Sequence, residues 1–466
     1  MPAPSELSEA VEAGLLQPLL TAPQWIVGFS GGLDSTVLLH LCQRYLAQLR
    51  TLPQLATTTL PRLLAVHVDH QLMPDHSAWS EHCAAFCASH TIEYTCLQVE
   101  VTSTGRGIEQ AARSARYEAF ARTMQPASAL LLAHHMDDQA ETLLLRLFRG
   151  SGIRGAAAIA RRRSFAQGQL LRPLLDFSRA ALAAYARQHS LDYIDDPSNS
   201  DLKLDRNFVR HQVLPTITGR WPAVSKTLAR FASHASVNDS LLTELAAIDA
   251  QALASKDNRY GENLRLDGLR ALSPARRANL LRYWLEQQGW PMPSAAWLEQ
   301  IDALARNARS AKAVLHDGFS VRVHRGGLYC VAATALATLE AVLASCPPWT
   351  GQRDIALGTT TRISLLCAAP AKAQQGLAAG RYLIGPRRRG ASCRVNGMTK
   401  TVNKLLQGAG VPAWLRDAYP VIYERKNGDL LVAAVGDICI GDDYLSSDGA
   451  QLACHYHFAQ AQRQDD

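Results

Sequence analysis

Residues 27–40 read VGFSGGLDSTVLLH: an apolar run, a glycine pair, an acid, then two hydroxyl residues. The run ending at Phe29 predicts a buried strand, and Ser35 and Thr36 begin a predicted helix. Between them Gly31 and Gly32 permit a tight loop whose N–H groups converge at the positive end of the helix dipole, which is an anion site. A Walker loop carries Gly-x4-Gly-Lys-Ser/Thr; here the spacing differs, the lysine is absent and Asp34 stands at the helix entrance. A carboxylate repels phosphate unless a divalent cation bridges the two. Ser30, Gly31, Gly32, Leu33, Asp34 and Ser35 are therefore expected to bind a polyphosphate with Mg2+, and Asp34 to be a metal ligand.

A second cluster lies in AHHMDDQAETLLLRLF. Asp137, Asp138 and Glu141 follow His134 at offsets of three, four and seven, which on one helix puts all four side chains on one face. Three acids there need a cation, and Mg2+ is one candidate. His134 is either a base or a phosphate contact. The His-His-x-Asp-Asp order is not a closed zinc pattern, and hard oxygen ligands favour magnesium. Arg113 and Arg116 sit three apart on a predicted helix, and Arg206 and Arg210 follow the polar loop SNSDLKLD. These arginines suit anionic groups of a substrate or, failing that, surface acids.

The elements that must position these residues are legible as patterns. QWIVGF, RLLAVHV, YTCLQV and ALLLAH are short apolar runs, each followed by a helix-like segment, which predicts a parallel sheet with crossover helices. From about residue 222 leucine and alanine recur at helical spacing, with Ser273-Pro274 a helix start. GFSVRVHRGGLYCV predicts a hairpin with Gly326 and Gly327 at its turn. LASCPPWTGQRD, residues 343–354, has the composition of a linker. The expected organisation is a doubly wound α/β domain over 1–218, a mainly helical domain over 222–340 and a small α+β domain over 352–466. TLPQLATTTLP is expected to be a surface loop.

The chain has 466 residues, 47% of them hydrophobic, enough for two or three packed cores. No run of eighteen apolar residues occurs, and the first residues carry acids where a secretory signal would be basic, so the cytoplasm is expected and no membrane partner. Ten scattered cysteines without a Cys-x-x-Cys pair read as reduced thiols, and Cys83 and Cys87 as packing residues. The net charge is +7 with arginine well ahead of lysine, compatible with a polyanionic partner. Arg387, Arg388 and Arg389, with Lys400 and Lys404 downstream, form the densest basic cluster and are the candidate RNA-binding residues.

The string SGGLDS resembles the PP-loop of ATP pyrophosphatases, which adenylate a substrate and release pyrophosphate. GIEQAARSARY, AHHMDDQAETLLLRLFRGSGIRG, RPLLDFSRAAL and DDPSNSDLKLDRNFVRHQVLP resemble the tRNA(Ile)-lysidine synthetase family in order and content, as does TVNKLLQGAGVPAWLRDAYPVIYE near the C-terminus. One departure is RRRGASCRV, where Ala391 replaces an expected second glycine. The resemblance implies an ATP- and Mg2+-dependent ligase acting on an isoleucine tRNA with a CAU anticodon and on free L-lysine. In it O2 of the wobble cytidine is adenylated, and the lysine ε-amine then displaces AMP at C2. It also implies that lysine competes with Mg2+ as the cation for the acids, that Arg113 and Arg206 meet the α-phosphate or the lysine carboxylate, and that Asp69 and His70 lie near the base and ribose of the nucleotide. The chain is expected to be a monomer or homodimer. A tRNA thiolation enzyme would share the loop, but several such enzymes use paired cysteines. A non-catalytic RNA-binding protein on the same fold would not be expected to keep both Asp34 and the Asp-Asp-x-x-Glu set.

Overall fold

The computed structural model of the chain describes residues 4–53, 59–71, 76–101, 108–255, 259–290, 294–307, 313–316, 318–345, 348–358, 362–368 and 375–457. The chain divides into two compact units, Met1–Leu241 and Leu242–Asp465. Residues 54–58 of the insertion TLPQLATTTLP, expected to be a surface loop, lie outside the described residues.

In the first unit the chain runs through α1 (Pro4–Val11), β1 (Gln24–Gly28), α2 (Leu33–Arg50), β2 (Arg62–Asp69), α3 (His76–Ser89), β3 (Glu93–Gln98) and α4 (Ile108–Thr123). It continues through β4 (Ala129–Leu131), α5 (Met136–Phe148), α6 (Ile153–Ala156), β5 (Arg162–Phe165), β6 (Gly168–Leu171), α7 (Arg179–Gln188) and α8 (Asp205–Phe208). The six strands form one sheet in the order β3-β2-β1-β4-β6-β5. All neighbours are parallel except β5, which turns back on β6 as an edge hairpin. The four apolar runs are the four expected strands. The β5–β6 hairpin carried no such signal, because its strands are short and half polar. Gly168 is needed there: a Cβ would lie 2.0 Å from the Ser128 carbonyl oxygen.

Alternation along β1 divides the core between the two faces of the sheet. Trp25 and Val27 pack with Leu38 and Leu41 of α2 and Leu182 and Tyr185 of α7. Ile26 packs on the other face with Leu64, Val66, Leu130 and with Phe120 and Met124 of α4. Strand order reverses between β1 and β4, so the loops leaving their C-terminal ends open onto the crevice where doubly wound sheets bind ligands. Those loops are residues 29–32 and 132–135.

In the second unit, strands Asn263–Arg265, Gly327–Ala332, Phe319–His324 and Ala313–His316 form an antiparallel sheet. Leu280, Leu281 and Leu285 of helix Pro274–Gln287 and Ile301 of helix Ala295–Asn307 cover its Val321, Val323 and Leu328. The helix start at Ser273-Pro274 forms as expected, the Ser273 hydroxyl accepting from Arg276 N at 3.4 Å. The hairpin turn sits one residue earlier than its glycines indicate: Arg325 (φ 43°) and Gly326 (φ 82°) make it, and Gly327 already pairs with His324. The stretch 343–354 is not simply a linker. Pro348–Trp349 pairs with Tyr382 and Leu383, and Trp349 is buried in a core with Tyr382, Ile384, Ile422 and Val435. A tryptophan gains more from burial than a linker composition can offset.

Candidate active site

Three consecutive carbonyls of the loop after β1 are tied from outside. His67 Nδ1 donates to Phe29 O at 3.0 Å, Trp79 Nε1 to Ser30 O at 2.8 Å and Ile194 N to Gly31 O at 2.9 Å. With the carbonyls held outward, and the N–H groups of Phe29, Ser30 and Gly32 bonded to Val66 O, Ser35 Oγ and Ser30 Oγ, the loop presents the Gly31 amide together with the first N–H groups of α2, which have no partner within that helix. Ser30 and Ser35 brace it internally, their hydroxyls 3.0 Å apart, while Ser35 and Thr36 both donate to Gly32 O at 3.0 Å. Gly31 alone needs to be glycine: its φ is 78°, and a Cβ would lie 2.9 Å from Cys83 Sγ and 3.1 Å from Trp79 Nε1. Gly32 has φ −79° and ψ 163°, open to any residue, and serves as the helix N-cap without a side-chain bond. Leu33 opens α2 and is buried.

Asp34 projects from the first turn of α2. Its Oδ1 is buried and accepts no hydrogen bond, and its Oδ2 lies 3.6 Å from Nε2 of the buried His135. An orphaned carboxylate oxygen beside an anion-binding loop fits a cation ligand. Among the described residues no set of three His, Cys, Asp or Glu side chains is arranged to hold a metal alone. A bound Mg2+ would therefore share Asp34 with phosphate oxygens.

His134 is not on the helix face that the spacing predicts. Helix α5 begins at Met136, with His135 as its N-cap: Asp137 N donates to His135 Nδ1 at 3.2 Å, and His135 N donates to Asp138 Oδ2 at 2.9 Å. This reciprocal cap is the imidazole version of a capping box. His135 was not singled out from the sequence, although an N-cap type followed three residues later by an acid is the signal for it. Burial opposes its charge, but Asp34, Asp138 and Asp137 outweigh burial and raise its pKa.

The three acids of α5 have different fates. Asp138 and Glu141 are buried and share two arginines: Arg206 donates to Asp138 Oδ1 at 2.6 Å and Glu141 Oε2 at 2.8 Å, and Arg210 to Glu141 Oε1 at 2.6 Å and Oε2 at 3.0 Å. The cation these two acids need is thus supplied by the chain itself. Burial works against ionisation of Asp138, yet His135, Arg206 and His134 pull its pKa down to about 2. Among the described residues Asp137 has no arginine side chain as partner; its Oδ2 accepts from Arg179 N at 2.8 Å at the start of α7.

His134 lies in the loop before the cap. Arg172, which follows β6 and is buried, donates from Nε to His134 Nδ1 at 3.2 Å. Burial pushes the His134 pKa down to about 3; Asp138, the next largest influence, opposes it, and Arg172, Arg206 and Arg116 add to the lowering. Arg113 of α4 joins indirectly: its guanidinium lies 5.2 Å from the centre of the Tyr117 ring, whose hydroxyl accepts from Arg172 at 3.4 Å. At the end of β2, Asp69 pairs with His76 at 2.9 Å, and Nδ1 of His70 is buried without a partner among the described residues.

In the second unit, strands Ser392–Val395 and Met398–Thr401 form a hairpin. Arg388, Arg389, Lys400 and Lys404 are exposed, with Arg388 over the Tyr423 ring at 5.6 Å. Arg387 differs from them: it is half-buried and bonded to Asp417. Gly390 takes the left-handed conformation (φ 82°) and Ala391 does not, so alanine is tolerated at that departure. No helix among the described residues is long and apolar enough to cross a membrane.

Comparison with known proteins places these features in one lineage. A PP-loop domain model matches residues 5–217, a TilS substrate binding domain model residues 264–329 and a TilS substrate C-terminal domain model residues 383–456. The tRNA(Ile)-lysidine synthase of Alkalilimnicola ehrlichii is 37% identical over 469 residues, covering 97% of this chain and 98% of the relative. That of Pseudomonas putida is 39% identical over 427 residues, covering 90% and 93%. Among solved structures, the U34-tRNA thiolase NcsA of Methanococcus maripaludis aligns over 49% of this chain and 78% of its own, with 17% identity and a TM-score of 0.40. Matched along nearly its whole length by relatives of one name, and by all three of these domain models in order, the chain belongs to the tRNA(Ile)-lysidine synthase family.

Proposed function

We propose that the chain joins the ε-amine of free lysine to C2 of the wobble cytidine in a CAU-anticodon isoleucine tRNA, giving lysidine and moving codon reading from AUG to AUA. As a member of its family it is an ATP-dependent ligase. A cytosine carbonyl oxygen is a poor leaving group, so activation precedes attack. O2 bonds to the α-phosphorus as the α–β phosphoanhydride bond breaks and pyrophosphate leaves. The lysine nitrogen then bonds to C2, the C2–O2 bond breaks, AMP departs with the oxygen, and the amine gives up its proton.

The observation that carries this reading is the buried, unpartnered Oδ1 of Asp34 beside a loop whose carbonyls are all turned away. Ser30 to Ser35 cradle the pyrophosphate, and Mg2+, when bound, screens it from Asp34 and draws charge from the leaving group. Arg206 holds its carboxylates through Nε and Nη2. Among the described residues its Nη1 bonds nothing and is left for an α-phosphate or a lysine carboxylate, with Arg113 the second cation of this region. Asp137, the acid of α5 without an arginine, receives the substrate ammonium. Arg388, Arg389, Lys400 and Lys404 contact tRNA phosphates while the wobble base is extruded into the crevice.

The test is incorporation of labelled lysine into bulk tRNA with ATP and Mg2+, followed by mild alkali, with Asp34→Ala as control. Label that survives alkali in the wild type and is absent from the control supports the reading. Pyrophosphate release without stable label overturns lysine as the nucleophile.

A further inference from the structure

Arg172 is 4% exposed, yet among the described residues it pairs with no carboxylate. Its guanidinium is spent on neutral acceptors instead: Nη1 donates to Ala160 O at 2.6 Å, Nη2 to the Tyr117 hydroxyl at 3.4 Å and Nε to His134 Nδ1 at 3.2 Å. A buried cation without a counter-charge is costly, and leucine or methionine would fill the same space more cheaply. The orientation accounts for its presence. Two bonds anchor the guanidinium plane between the loop before β5 and α4, and the third edge faces one nitrogen of a site histidine.

A guanidinium keeps all its protons at any physiological pH, so Nδ1 of His134 must be the acceptor of that bond. The single proton of the neutral ring then sits on Nε2. The alternative tautomer would set an N–H against an N–H. No described residue accepts from Nε2, which is left to donate to a ligand. The charged groups around the ring come from four elements: Asp138 from α5, Arg206 from α8, Arg116 from α4 and Arg172 itself. Three of the four are cations, so a second proton on the ring is opposed as well. A ring with its lone pair engaged and its other nitrogen protonated has nothing with which to take a proton from an amine.

We propose that Arg172 is a positioning residue that fixes His134 as the Nε2–H tautomer, so that His134 acts in adenylation as a neutral hydrogen-bond donor to an α-phosphate oxygen and not as a base. This rests on the placement of the adenylation site given above. A neutral imidazole donor suits an oxygen whose negative charge grows in the transition state, because no proton has to be removed first.

The test reads the ring directly, in the full chain labelled with nitrogen-15 histidine, and compares His134→Gln with His134→Ala in tRNA-dependent pyrophosphate release. Glutamine keeps an N–H donor without basicity. The expected result is a wild-type ring protonated at Nε2 and unprotonated at Nδ1 from pH 5 to 8. His134→Ala should lose on the order of a hundredfold in kcat, and His134→Gln should recover at least about tenfold of that loss, with KM for ATP changed less than about twofold in either. Arg172→Met should show both tautomers and a ring titrating nearer the ordinary value of about 6.5. A wild-type ring protonated at Nδ1, or titrating above pH 6, overturns the proposal without needing any variant to fold. Equal activity of the alanine and glutamine variants would remove the donor role and with it the function assigned to Arg172. Absence of lysine incorporation by the wild type is a separate result, which would overturn the reaction itself.

Discussion

His135 Nε2 lies 3.6 Å from Asp34 Oδ2 and 3.5 Å from Asp138 Oδ2, so one buried imidazole links the phosphate loop to the acidic helix. Two loops from neighbouring strands are thereby held as one site. The link also couples helix capping to electrostatics, since the Nδ1 that caps α5 must stay unprotonated while the carboxylates favour the charged ring.

His135→Ala is therefore expected to cost about 1–2 kcal/mol of stability through removal of the cap and to reduce pyrophosphate release more than tRNA binding. Chemical denaturation and a filter-binding measurement separate the two. Unchanged pyrophosphate release in a destabilised variant would confine His135 to capping.

Gly31→Ala meets a left-handed backbone and Cys83 Sγ at 2.9 Å. Strain of about 1–3 kcal/mol is expected, with loss of ATP-dependent pyrophosphate release, whereas Gly32→Ala, in extended backbone, should be close to wild type in stability. Thermal melting of the pair checks this, and equal destabilisation would contradict the assignment of the turn to Gly31.

Removing Glu141 leaves Arg206 and Arg210 with Asp138 as their remaining carboxylate in this cluster. Glu141→Ala is expected to cost about 3–5 kcal/mol, as breaking one side of a buried ion network does. The combined change of Glu141 and Arg210 to apolar residues should cost less than the sum of the two single changes. Additive costs in a double-mutant cycle would show that the two residues act independently.

Through His134 and Asp138 acid should act in two successive windows with one sign, whereas His135, whose pKa is raised, acts with the opposite sign as pH falls towards its ordinary value. The folded pKa of His134 is about 3, against about 6.5 for an ordinary histidine. As pH falls between these values the unfolded chain binds a proton that the folded chain refuses, so stability falls. Asp138, at about 2 in the fold against about 3.9 ordinarily, adds a loss of the same sign below pH 4. His134→Gln should flatten the decline in melting temperature between pH 6.5 and 4 relative to wild type. Half-buried His40, also lowered, to about 4, contributes equally to both proteins and cancels in the comparison. Parallel curves would show that His134 is not the group responsible.

Changing Arg388, Arg389, Lys400 and Lys404 to alanine is expected to weaken tRNA binding and to reduce its salt slope by roughly 0.7–0.9 for each phosphate no longer neutralised. Arg387→Ala should instead act first on folding, because that side chain holds Asp417. Binding that keeps its slope in the fourfold variant would take the hairpin out of the interface.

Much of this protein was settled by local sequence. The four apolar runs became β1 to β4 because alternate residues, such as Trp25 and Ile26, had a core to enter on each face of the sheet. Gly31 and Asp34 declared the phosphate loop because a tight strand-to-helix turn with an acid at the helix entrance admits few other uses. The tertiary fold decided what each charged side chain meets. Spacing put His134 on the same helix face as the acids, but the cap at His135 starts the helix two residues after His134. The acids asked for a cation, and two came from Arg206 and Arg210, more than sixty residues away along the chain. Arg172 opens the string RPLLDFSRAAL, which carries a resemblance and no role for the arginine, and its bond to His134 arises only because β4 and β6 are neighbours in the sheet. Periodicity reports which face of an element is apolar; the partner of a buried charge is fixed by strand order, which no local pattern encodes.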